Sequence, residues 1–346
     1  MLNAEKQRFQ SIVDLEDCLS EPTEGVVETL GRLDGDILIL GIGGKMGPTL
    51  GKMAKRASEL AGVQRRVIGV SRFSKGGLEA ELQAHSIETL QCDLLDPDAL
   101  DRLPEVPNIV YMAGMKFGTT GQESLTWAMN THLPGLVCRR FRHSRVVAFS
   151  TGNVYPLVPV TRGGSLETDP LEPIGDYAMS CLGRERIFEH YSRTLGIPVA
   201  MIRLSYAVEM RYGVLIDVAT RVLAGEPIDL TMGNMVAIWQ GDANAMSLQA
   251  FDHADSPPFV VNVTGPEILS VQQIAMEFGR LLERDVRFTG VESGAAMISN
   301  AQKAHRLFGY PKISISQVLP WCAQWVARGG ETLGKPTHFE TVDGKF

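Results

Sequence analysis

Ile37-Leu38-Ile39-Leu40-Gly41-Ile42-Gly43-Gly44-Lys45-Met46-Gly47 is the stretch that decides the fold. Four consecutive apolar residues read as a buried parallel strand, because a strand covered on both faces has no reason to alternate. Gly41, Gly44 and Gly47 follow at once, and a helical stretch, 46–61, opens among them. Glycine lets the backbone turn sharply and approach a ligand. The start of a helix offers N–H donors and the positive end of its dipole. A second strand, 67–71, comes about 20 residues on. Strand, glycine loop, helix and strand in that order make a cradle for the pyrophosphate of a dinucleotide. Gly41, Gly44, Lys45, Met46 and Gly47 are its expected contacts.

Working outward, strands and helices alternate. Further strands read at 89–92, 109–112, 146–150 and 201–205, with helices at 123–142 and 176–196 between them. The alternation predicts an α/β fold, a Rossmann-type doubly wound parallel sheet. After about residue 207 the texture changes to helices at 214–223 and 271–282 with short strands such as 259–263. This reads as a smaller C-terminal α/β substrate lobe beside the sheet's carboxyl edge. The expected organisation is a helical N-terminal appendage (1–35), a dinucleotide domain (36–207), a mainly substrate-binding lobe with some segments returning to that domain (208–330), and a tail (331–346).

The chain has 346 residues, 44% hydrophobic and 21% charged, enough to bury a sizeable core. No apolar run is long enough to span a membrane, and the first ten residues carry no secretory pattern. The net charge of −7 argues against nucleic acid. Five scattered cysteines suggest neither disulfides nor a thiolate metal site, and a reducing cytoplasm is the expected home. No His/Asp/Glu cluster has metal-ligand spacing, so no metal is expected. His132 and His305 read as surface or helix residues, and Trp239, Trp321 and Trp325 as packing.

Strand two ends in Ser71-Arg72. A carboxylate there would bind a ribose 2′-hydroxyl and repel a 2′-phosphate, whereas serine with arginine attracts the phosphate. NADP(H) is therefore favoured over NAD(H).

In order and spacing, several stretches resemble the extended short-chain dehydrogenases/reductases, the NAD-dependent epimerase/dehydratase family. They are the GxxGxxG loop, Cys92-Asp93-Leu94, Met112-Ala113-Gly114-Met115-Lys116, Asn130, Phe149-Ser150-Thr151-Gly152-Asn153-Val154-Tyr155, Tyr177, Arg203, Asn262-Val263-Thr264-Gly265 and Lys303 to Tyr310. The resemblance implies hydride chemistry, with Tyr177 as acid/base and Thr151 holding the reacting oxygen. It implies cofactor contacts at Asp93, Leu94, Ala113, Gly114, Lys116, Asn130, Tyr177 and the position of Cys181. It also implies a homodimer through a helix pair that includes the Tyr177 helix.

The sequence departs from this pattern at Cys181, where the family's YxxxK carries lysine. That lysine binds the nicotinamide ribose and lowers the tyrosine pKa. Three readings stand: another cation substitutes, Lys116 before Arg184, which is expected to face solvent; Tyr177 is not the main base; or the protein binds cofactor without normal turnover. Dehydratases of the family carry Asp-Glu where this chain has Gly152-Asn153, which disfavours 4,6-dehydration. The cations expected to clamp a sugar-nucleotide diphosphate are absent from 232–239 and 290–294. The sequence therefore points to an NAD(P)-dependent oxidoreductase or epimerase acting on a hydroxyl or ketone of a sugar-like small molecule, not a nucleotide-diphosphate sugar. The alternative is a catalytically degenerate dinucleotide-binding sensor or scaffold.

Overall fold

The computed structural model describes residues 8–74, 76–116, 121–335 and 337–341. Of the expected appendage and tail, residues 1–7, 336 and 342–346 lie outside the described residues. Seven parallel strands form the main sheet: β1 (Ile37–Leu40), β2 (Val67–Ser71), β3 (Glu88–Gln91), β4 (Asn108–Tyr111), β5 (Arg145–Thr151), β6 (Val199–Leu204) and β7 (Phe259–Val263). Their order is β7-β6-β5-β4-β1-β2-β3. All four residues of β1 are fully buried between helical layers, whereas edge strand β3 exposes Glu88 and Gln91. Residues 259–263 were expected in the smaller lobe. They instead pair with β6 in the main sheet, because Val261 and Val263 bury their side chains against its core.

The chain runs from β1 out to β3, then returns across β1 to start β4. That reversal opens a crevice at the carboxyl ends of β1 and β4, where ligands of open α/β sheets sit. Gly41 turns there with φ +90°, and a Cβ on it would meet the Ala113 backbone at 2.7 Å. A Cβ on Gly47 would lie 2.2 Å from the Ile42 carbonyl oxygen. Only hydrogen fits at 47, so helix α3 (Gly47–Leu60) starts hard against the strand it follows.

Two short helices precede the sheet, α1 (Ile12–Leu19) and α2 (Glu24–Arg32). The first starts in a capping box between Ser11 and Asp14. Its Glu16 reaches Lys52 of α3 at 2.6 Å and Arg211 at 2.8 Å. Lys52 is 4% exposed and also meets Glu81 at 2.7 Å. Phe9 stacks on Trp239, with Trp321 edge-on to both. Together with the helices Val214–Ala224, Val271–Leu282 and Ile315–Ala327, these rings form a second core beside the sheet's own. Near the C-terminus Thr337 donates its N–H and hydroxyl to Asp217, and Phe339 is buried. Among the described residues no helix is long and apolar enough to cross a membrane.

Candidate active site

The expected glycine loop and the segments after β2 to β5 converge on the crevice. Gly43 and Gly44 are exposed at the loop tip, and the first turn of α3 directs its N–H groups toward the same space. This exposed backbone fits the pyrophosphate of a dinucleotide. A Cβ on Gly43 would stand 2.4 Å from the Ser71 hydroxyl, so no carboxylate guards that wall at 71. Arg72 and Asp93 are exposed at the ends of β2 and β3, and Leu94 packs inward.

The segment after β4 is held from below. Asn130 sits in a π-helical turn, Ala128–His132, and is fully buried. Its Oδ1 accepts from the Met115 N–H at 2.8 Å, and its Nδ2 donates to the Met115 carbonyl at 2.9 Å. That clamp fixes Ala113 to Lys116 along the cleft. Asn130, expected among the cofactor contacts, thus holds the Met115 backbone with its own side chain fully buried.

Tyr177 lies in the first turn of the long helix Gly175–Leu195. Positions 177, 181, 184 and 188 share one helical face. Cys181 has no exposed surface and packs with Val154, Tyr155 and Tyr177. It was expected among the cofactor contacts; instead it is sealed beneath Tyr177. Burial pushes its thiol up, with the Arg184 guanidinium opposing.

Arg184, expected in solvent, is 7% exposed. Its guanidinium donates to the Phe149 carbonyl at 2.8 Å and to Asn130 Oδ1 at 2.7 Å. A Cβ on Gly114 would lie 2.3 Å from Arg184 Nη2, so the cation sits directly under the cleft floor. Helical spacing put it there: three residues beyond Cys181 is the same inward face.

Thr151 ends β5. Its hydroxyl donates to Asn153 Oδ1 at 2.9 Å and also hydrogen-bonds Tyr177. Burial, and next the Cys181 thiol, push the Tyr177 phenol well above 10; Arg184 and the Thr151 hydroxyl act the other way. Lys116 Nζ lies 5.7 Å from the Tyr177 ring centroid. Burial lowers Lys116 to about 8, with Cys181 and Asp217 opposing. The structure thus brings Tyr177, Thr151 and Lys116 together on the lining of a cleft of about 180 Å³.

Sequence reasoning missed other parts of that cleft. Ser205, Tyr206, Tyr212, Gln240 and Thr337 line it. Tyr206 has φ +44°, rare for a non-glycine residue, but no sequence pattern announces that. Lys45 turns from the phosphate loop across to Tyr212, with Nζ 3.0 Å from the ring centroid. Other resembling landmarks prove structural. Arg203 pairs with Glu185 at 2.8 Å and donates to the Tyr155 hydroxyl at 2.8 Å, which in turn donates to Asn262 at 2.8 Å. This buried network braces β5, β6 and β7 behind the site.

Residues 37–245 match the NAD dependent epimerase/dehydratase family. Among solved structures, a UDP-glucuronic acid 4-epimerase from Bacillus cereus in complex with NAD is similar at TM-score 0.70 and 17% identity. That match covers 86% of this chain and 99% of the other. A dTDP-glucose 4,6-dehydratase from Bacillus anthracis in complex with NAD gives 0.72 and 18%, covering 85% and 97%. A UDP-glucose 4-epimerase from Thermotoga maritima with UDP-glucose gives 0.68 and 17%, covering 85% and 99%. No curated protein matches the sequence.

Proposed function

The chain belongs to the NAD-dependent epimerase/dehydratase family, and from that premise we propose that it is an oxidoreductase or epimerase acting on a hydroxyl or ketone of a sugar-like small molecule. The observation that carries this reading is the hydrogen-bonded Tyr177–Thr151 pair at the inner end of the cleft, beside the glycine loop. A bound nicotinamide would supply the hydride acceptor or donor. Tyr177 would pass one proton to or from the substrate oxygen, and Thr151 would hold that oxygen, its own hydroxyl fixed by Asn153. The cations expected of a lysine at position 181 are shared between Lys116 above the tyrosine and Arg184 below it.

Two features favour a substrate other than a nucleotide-diphosphate sugar, and a reaction other than 4,6-dehydration. Glu292 hydrogen-bonds Asn234 at 3.0 Å, so a carboxylate occupies the neighbourhood where a diphosphate would need cations. A Cβ on Gly152 would lie 2.1 Å from the Ser205 hydroxyl, which leaves little room for an acid at that position. For the cofactor, Ser71 and exposed Arg72 support NADP(H) over NAD(H).

The test is cofactor-dependent turnover across a panel of sugars, sugar acids and polyols, with Tyr177→Phe as the comparison. We expect about a hundredfold to ten-thousandfold loss of rate with dinucleotide binding kept. Turnover that survives the change means the tyrosine mechanism is wrong. The high Tyr177 pKa and the sealed Cys181 favour a second reading, a dinucleotide-binding sensor. It gains if the whole panel is inert while the dinucleotide binds.

A further inference from the structure

The described lining of the inner cleft carries cations and no carboxylate. Among its described lining residues two are lysines, Lys45 and Lys116, and none is Asp or Glu. They come from different elements, the phosphate loop after β1 and the segment after β4, and both border the cleft that holds Tyr177 and Thr151. Lys45 is directed away from the glycine backbone it belongs to. Its ammonium lies over Tyr212, on the far wall, rather than over the exposed Gly43-Gly44 tip. Hydroxyl and amide groups complete the wall, from Ser205, Tyr212, Gln240 and Thr337.

We propose that Lys45 and Lys116 form a subsite for a carboxylate on the substrate, so that the sugar-like molecule is a sugar acid, an aldonate or uronate, held with its reacting carbon at Tyr177 and Thr151. The inference rests on the hydride-transfer reading and deepens it. A carboxylate accepts from two ammonium groups at once and carries one charge, enough to relieve their mutual repulsion without the second charge of a phosphate. Burial lowers Lys45 to about 6, with Lys116 and Lys335 adding to it and Asp217 and Glu209 opposing. Lys116 is lowered in the same direction. An anion placed between the two lysines raises both, so binding takes up protons. Affinity for the carboxylate therefore strengthens as pH falls from about 8 toward 6.

The experiment is calorimetric titration of the intact protein, already loaded with NADPH. The probes are glucuronate, gluconate, glucose and glucose 6-phosphate, in buffers of different ionisation enthalpy. Glucuronate or gluconate should bind at least tenfold more tightly than glucose, with proton uptake. Lys45→Met should weaken that binding about tenfold or more and remove the proton uptake, while glucose binding stays within twofold of the parent. Equal binding of acid and neutral sugar overturns the proposal, as does a Lys45→Met protein that weakens glucose as much as the acid. Tighter, Lys45-dependent binding of glucose 6-phosphate reassigns the subsite to phosphate and overturns the carboxylate. Failure here is separable from failure of the hydride reading. Neutral sugars turned over with Tyr177 dependence would sink only the carboxylate. Sugar acids bound as above but never turned over would sink only the chemistry.

Discussion

The two ends of the cleft are built by different means. At the outer end the backbone makes the contacts: Gly41 turns with positive φ, Gly47 lets α3 start against Ile42, and the N–H groups follow from that path. At the inner end side chains do so, and they come from positions as distant as Lys45, Lys116, Thr151, Tyr177, Tyr212 and Gln240. Backbone recognition is local in sequence because one short run sets its own dihedrals. Side-chain recognition is assembled by the sheet and has no local signature. The outer end tells that a dinucleotide is held, and the inner end what is done with it.

The largest effect that would test this contrast lies at Arg184. If the inner end depends on a buried cation in place of the missing lysine, Arg184→Met removes the guanidinium donor from the Phe149 carbonyl and leaves Asn130 Oδ1 with the Met115 N–H alone. The expected cost is about 2–5 kcal/mol, read as a lower midpoint in urea unfolding. The Tyr177 ionisation should move to still higher pH in an ultraviolet titration, because the guanidinium favours the phenolate. Arg184→Lys keeps the charge but loses the fork, so it should restore the titration more than the stability. A wild-type midpoint in Arg184→Met would remove the cation from the account.

Gly47→Ala tests the outer end. Its new methyl must displace the Ile42 carbonyl or shift α3, at about 1–3 kcal/mol. NADPH affinity should fall with stability, because the N–H groups move with the helix. If affinity holds while stability drops, the phosphates are not seated on that turn. Smallest is Arg72→Asp, which should shift the NADP(H)-to-NAD(H) affinity ratio about tenfold toward NAD(H) and leave unfolding unchanged. An unmoved ratio would detach Ser71-Arg72 from the ribose.

How much was legible follows the same division. The run from Ile37 to Gly47 announced β1, the loop and α3 because apolar continuity and glycine placement are direct readouts of backbone geometry. The loss of lysine at 181 was equally plain. Its consequence was misjudged, because Arg184 was assigned to solvent by its charge although 177, 181 and 184 fall on one helical face. Residues 259–263 were assigned to the wrong lobe, since nothing within a five-residue apolar strand says which sheet it joins. Tyr212 opposite Lys45 could not be foreseen at all. That pair exists only once the chain after β6 has folded back over the loop.

Glu16 gives the molecule a mechanical property as well. One carboxylate grips Lys52 on the helix behind the phosphate loop and Arg211, the neighbour of Tyr212 on the opposite wall. The first helix therefore ties α3 to the wall that carries Tyr212. Any gaping of the cleft that carries Arg211 away from α3 must first release one arm of that grip.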